Sequence, residues 1–177
     1  MLSFDALLRE QDWTRLQRDD IADDGDNIAL SLGVLARNES CKTGHNQGVV
    51  LLREAARLCA KALLAARPSG AKAFVLSEEG YVTLFHSAVA DLQLPRPDNG
   101  LDWVPHCLRH GGASEFHRIF KASALDIKLR GRWESDKAVA RYTKSHQLVA
   151  LDARLSDEVH ARAARFWADP SSRFRLR

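Results

Sequence analysis

One short stretch of this chain alternates with the period of a β-strand, and a second reads as extended. Ile28, Leu30 and Leu32 alternate with Ala29, Ser31 and Gly33. After the polar stretch Asn38 to Gln47, the run Gly48-Val49-Val50-Leu51-Leu52 reads as extended too. Two such segments joined by a polar connection predict a β-hairpin, with Lys42 near its tip. A chain that sets one hairpin among helices is α+β by class and mainly α, with a single small antiparallel sheet.

The helices are read from spacing and punctuation. Leu2, Phe4, Leu7, Leu8 and Trp13 lie close to helical spacing and predict a helix over 2–17, followed by an acidic turn at Asp19-Asp20 and Asp23 to Asp26. The Ala/Leu/Arg composition of Arg53 to Arg67 predicts a helix that stops at Pro68-Ser69-Gly70, and Ser77-Glu78-Glu79 caps another running to about Leu92. Pro95 to Gly100 is the clearest loop. Beyond it several short helices are expected, broken at Gly111-Gly112, at Gly131 and at Thr143 to His146. A last amphipathic stretch, Leu148 to Trp167, ends at Asp169-Pro170 and a basic tail of Arg173, Arg175 and Arg177.

With 177 residues, of which 45% are hydrophobic, the chain can bury one sizeable core, so a single domain over 1–177 is expected. The 26 Lys+Arg against 23 Asp+Glu give a net charge of only +3. That falls short of a purely electrostatic nucleic-acid binder, so any DNA contact has to come from a local basic cluster. Cys41, Cys59 and Cys107 are scattered and suggest neither a disulfide framework nor a paired zinc site, which fits a reducing, intracellular compartment. The first residues show no signal peptide or membrane span.

The segment richest in chemistry is His106-Cys107-Leu108-Arg109-His110-Gly111-Gly112. His106 and Arg109 are three residues apart, which on a helix sets an imidazole beside a guanidinium, both able to meet one phosphate. His106, Cys107 and His110 lack the second ligand pair that a closed zinc site needs. Next comes Leu129-Arg130-Gly131-Arg132-Trp133-Glu134-Ser135, and nine residues after the tryptophan stands Arg141-Tyr142-Thr143.

Taken in this order, the segments resemble the catalytic domain of the tyrosine recombinases, the phage-integrase family. There an H-x-x-R helix is followed by a Gly-His or Gly-x-Trp turn and, one short helix later, by a nucleophilic tyrosine in an Arg-Tyr context. The family's pattern R-x-x-E/D-x-x-x-L-x-x-x-D-I fits Arg9 to Ile21, with Asp12 at the acidic position, and its hairpin lysine falls on Lys42-Thr43-Gly44. The resemblance spans Arg9 to Tyr142.

It implies cleavage and rejoining of double-stranded DNA through a 3′-phosphotyrosine, in recombination or integration of a mobile element, without metal or cofactor. Charge building on a phosphodiester has to be answered by fixed cations, and Arg9 and Arg109 supply permanently charged planar forks. Phenols ionise near about pH 10, so a tyrosine nucleophile needs cations and a proton acceptor beside it; His106 joins the arginines in that role for Tyr142. Lys42 is the general acid for the departing 5′-oxygen, with Arg37 and Lys61 next in line. Trp133 is expected to offer its indole N–H to a phosphate oxygen and its face to the helix of Tyr142, and Asp12 to orient Arg109 or another catalytic group. His45 and His146 read as exposed loop residues.

Family members usually carry an N-terminal helical domain that closes on the other side of the DNA. None is expected before Arg9, so the chain reads as a retained catalytic core with weak DNA affinity of its own. Its place would be the nucleus in a eukaryote, or the cytoplasm and nucleoid in a bacterium. A homo-oligomer on DNA is expected, and the stretch from Leu148 has two destinations, a neighbouring protomer or its own core. The competing readings are a DNA-binding remnant that no longer cleaves, a type IB topoisomerase-like enzyme, and a helical interaction module without a nucleic-acid role.

Overall fold

The computed structural model describes residues 1–41, 44–97 and 100–173. It is mainly helical with one three-stranded antiparallel sheet, α+β as the alternation predicts. Strands β2 (Ile28–Leu32) and β3 (Gln47–Val50) form the expected hairpin, with Leu30 opposite Val49. The acidic stretch behaves differently from its reading as a turn. Arg18–Asp20 is a short 3-10 turn and Ile21–Asp23 is strand β1, paired with β2 so that Ile21 faces Leu30. Asp20 is buried and takes two hydrogen bonds from Arg37, at 2.9 and 2.7 Å. The tight turn between β1 and β2 is made by Asp24, whose carboxylate accepts the N–H groups of Asp26 and Asn27, and by Asp23, whose carboxylate accepts the Gly25 N–H. The inward residues of the sheet pack with Trp13, Leu16, Ala56 and Ala60 in one core.

The helix expected over 2–17 is two helices, α1 (Leu2–Asp5) and α2 (Glu10–Arg15). Between them Leu7 takes a left-handed backbone, φ 50°. Neither glycine nor proline forces this break; the Leu7 carbonyl accepts hydrogen bonds from Arg109 and Arg132, which are distant in sequence. Helices α3 (Glu54–Ala66) and α4 (Glu78–Asp91) follow their predicted bounds, with the Ser77 hydroxyl capping α4.

The Gly111-Gly112 pair does not interrupt α5 (Cys107–Phe120). A Cβ at Gly112 would collide with the Phe4 carbonyl, so the glycine serves the close crossing of α1 over α5. Gly112→Ala is expected to cost about 3 kcal/mol through forced separation of the two helices. Gly111→Ala meets only the edge of the Phe4 ring at 3.2 Å, and its helix propensity offsets the contact to within about 1 kcal/mol. Thermal unfolding of the two variants should differ accordingly; equal losses would refute the crossing argument.

Helices α6 (Ala124–Gly131) and α7 (Asp136–Tyr142) pack against α5 around Leu7, Ala113, Ile127, Trp133 and Val139. The last amphipathic stretch is split into α8 (Ser145–Asp152) and α9 (Asp157–Ala168), because Ser156 caps a new helix. Arg175 and Arg177 of the basic tail lie outside the described residues, and the Arg173 side chain does as well. Among the described residues no helix is long and apolar enough to cross a membrane.

Candidate active site

Helix α5 begins one residue after His106, which places this imidazole at the open end of the helix and Arg109 in its first turn. Tyr142 closes α7, whose start is fixed by the Ser135 hydroxyl accepting the Ala138 N–H at 3.2 Å. The packing of α7 on α5 brings the Tyr142 hydroxyl to 3.0 Å from His106 Nε2. His110 stacks on the tyrosine ring, with centroids 4.1 Å apart and planes 17° apart. Trp133 also meets that ring, at 4.5 Å and 38°. The Arg109 guanidinium carbon lies 4.4 Å from the Trp133 ring centre and 5.7 Å from that of Tyr142. His106, Arg109, Trp133 and Tyr142 are thus together. Trp133 contributes its ring faces and is buried in the second core.

Arg109 belongs to a cluster of three guanidinium groups and one carboxylate. Arg109 is 1% exposed and donates to the carbonyls of Leu7 and Gly131. Arg9 Nη2 donates to the Arg132 carbonyl at 3.2 Å. Arg132, not among the residues singled out from the sequence, is buried; it donates to Leu7 O at 3.1 Å and to Asp12 Oδ2 at 2.8 Å. Asp12 also accepts the Arg9 amide N–H at 2.8 Å and so caps α2. The guanidinium that Asp12 holds is therefore Arg132 and not Arg109. The one signal for Arg132 in the sequence is a buried acid needing a partner, which no local pattern reveals.

Lys42 lies outside the described residues, as does Thr43. Their neighbours Cys41 and Gly44 are hydrogen-bonded to each other, and Cys41 Sγ lies 3.6 Å from Asp12 Oδ1. Arg37 is taken up by Asp20 and Glu39, and Lys61 sits 3.8 Å from Asp23. The His45 ring meets the Glu39 carbonyl at 2.7 Å, and His146 is exposed on α8.

Electrostatics at the site are unbalanced toward positive charge. Burial, then the like charges of Arg9 and Arg132, hold Arg109 below the ordinary guanidinium range. Arg9 Nη1, Arg109 Nε and Arg132 Nε are buried without a hydrogen-bond partner among the described residues. Donors of this kind, in a cluster with surplus positive charge, suit an anion with several oxygens. Desolvation, followed by the charges of Arg109 and Arg9, holds His106 below the usual imidazole value, so it is neutral near neutral pH and its nitrogen can accept the phenolic proton.

His110 is pushed down to about 4 by desolvation, then by His106, Lys144 and Arg109. An unfolded histidine titrates near about 6.5, so in acid the unfolded chain binds a proton that the folded one refuses. The stability tied to neutral His110 is present in full above about pH 6.5 and is lost as pH falls toward 4. The loss should be on the order of 2 kcal/mol, after a discount for partial exposure. His110→Phe keeps a stacked ring without the ionisation, so its urea midpoint should fall less than the parent's between about pH 7 and about pH 4.5. Equal falls would refute this assignment.

No family model and no curated protein matches the chain.

Proposed function

We propose that this chain is the catalytic core of a tyrosine recombinase, cleaving and rejoining duplex DNA through a 3′-phosphotyrosine on Tyr142. The observation that supports this best is the 3.0 Å hydrogen bond between His106 and Tyr142, made over the Arg109 and Trp133 side chains. These residues come from three separate segments, each singled out for the same chemistry.

In the proposed reaction the Tyr142 hydroxyl passes its proton to neutral His106 as its oxygen attacks phosphorus. The new O–P bond forms as the bond to the 5′-oxygen breaks, and that oxygen leaves with a proton from Lys42. Arg9 and Arg109 face the charge that builds on the non-bridging oxygens. A free 5′-hydroxyl then attacks the phosphotyrosine, releasing Tyr142 and resealing the strand without an external energy source. Asp12 and Arg132 keep this cluster in place.

One observation favours a second reading. Two of the Arg109 nitrogens are engaged by backbone carbonyls and the residue is 1% exposed, as expected of a remnant that binds DNA without cleaving it. A nicked suicide duplex, which loses its short 5′-hydroxyl fragment on cleavage, separates the two. The recombinase reading expects an adduct that survives denaturation, forms in the presence of a chelator, and transfers to an added 5′-hydroxyl strand. Salt-sensitive binding without adduct would establish the remnant, and neither binding nor adduct would refute both.

A further inference from the structure

His106, at the head of α5, and His110 and Ser114 within it touch Tyr142, each at a different part. His106, His110 and Ser114 are spaced four apart, so successive helical turns present them along one face. His106 meets the hydroxyl at 3.0 Å and His110 covers the ring at 4.1 Å. Ser114, two turns below His106, donates its hydroxyl to the Tyr142 carbonyl at 2.7 Å and accepts the Lys144 N–H at 2.9 Å. The Ser114 carbonyl in turn accepts the Ser145 hydroxyl at 3.4 Å.

This arrangement answers a problem set by the position of Tyr142. It is the last residue of α7, and only Thr143 and Lys144 separate it from α8. Carbonyls at a helix end have no partner within the helix, and such ends fray. A nucleophile there would be free to swing, while in-line attack needs the reacting atoms held within about 3–3.5 Å. The buried Ser114 hydroxyl supplies the missing partners on both sides of the α7–α8 link. His110 closes one face of the ring, with Trp133 also in contact.

We propose that His110 and Ser114 are positioning residues for Tyr142, one fixing its ring and the other its backbone, so that His106 and the arginines find the hydroxyl in place before DNA arrives. This role rests on Tyr142 being the nucleophile; the clamp itself is open to measurement without DNA.

The chain has two tyrosines, Tyr81 and Tyr142, so ring-labelled tyrosine gives two NMR signals and Tyr142→Phe assigns them. His110→Leu should move the Tyr142 signal toward the free-tyrosine position, and Ser114→Ala should broaden it. His110→Phe, which still stacks, should leave it near the parent's and guards against reading a folding defect as a loss of clamping. On the suicide duplex His110→Leu and Ser114→Ala should slow single-turnover adduct formation by about 10²-fold. Their DNA Kd should stay unchanged, with His110→Phe close to the parent. Unchanged Tyr142 signals in His110→Leu and Ser114→Ala would overturn the clamp. Shifted signals with an unchanged adduct rate would overturn the positioning role. Signals that shift as expected in a chain whose parent forms no adduct would remove the nucleophile reading, and with it that role, while the clamp stands.

Discussion

Tyr142→Phe is expected to reduce covalent adduct formation on a suicide duplex by at least about 10⁴-fold, the scale on which enzymes respond to loss of a nucleophile. The fold should hardly notice. The phenylalanine ring keeps its stack on His110 and its contacts with Trp133 and Arg109. It loses one hydrogen bond to His106, at an exposed position worth about 1 kcal/mol or less. DNA affinity, compared at one salt concentration, should be unchanged because no cation has been removed. A Tyr142→Phe chain that still forms a denaturation-resistant adduct would place the nucleophile elsewhere. A variant that lost DNA binding as well would show that the hydroxyl contacts the ground state rather than the reacting phosphorus.

The residues of the site were more legible in the sequence than the framework that holds them. Trp133 and Tyr142 were singled out through the resemblance of their segments to a family pattern, His106 and Arg109 through local helical spacing, and short-range geometry is what a sequence displays directly. The β2–β3 hairpin was legible for the same reason. β1 was not, because it is three residues long and sits in an acidic run whose Asp20 is neutralised by Arg37, far away in the chain. The break at Leu7 was hidden as well: the backbone there is fixed by arginines more than a hundred residues downstream. Gly111-Gly112 misled in the opposite direction. Glycine weakens a helix locally, yet at Gly112 the missing Cβ is what lets α1 and α5 cross. The C-terminal split at Ser156 carried a readable cap that the amphipathic period masked.

Arg132 was the least legible, and the framework depends on it. Its guanidinium joins the Leu7 turn to Asp12, its carbonyl accepts Arg9, and its own backbone is left-handed at φ 53°. The groups that would grip a phosphate are therefore held by the same hydrogen bonds that close the chain's first turn onto its sixth helix. Substitutions that disturb this cluster should change stability and activity together.

Asp12→Ala tests that coupling most directly. The carboxylate accepts the 2.8 Å ion pair from Arg132 and the 2.8 Å amide bond from Arg9, so its removal leaves a buried guanidinium without its counter-charge and α2 without its cap. Removing one partner of a buried pair costs about 3–5 kcal/mol, a large share of the 5–15 kcal/mol of an ordinary domain. Arg132→Met should cost less, about 1–2 kcal/mol, because the orphaned Asp12 keeps the Arg9 amide and still faces the positive charge of the neighbouring arginines. The double variant Asp12→Leu with Arg132→Met removes both charges and fills the space with apolar groups, so it should recover most of the loss seen in Asp12→Ala. Urea unfolding of the parent, Asp12→Leu, Arg132→Met and the double variant closes the cycle, with Asp12→Ala measured beside them. If the double variant is as unstable as the sum of the singles, the Arg132 bonds to backbone carbonyls, and not its pairing with Asp12, hold the cluster. If it recovers stability but not adduct formation, the Arg132–Asp12 pair is kept for the geometry of Arg9 and Arg109 rather than for folding.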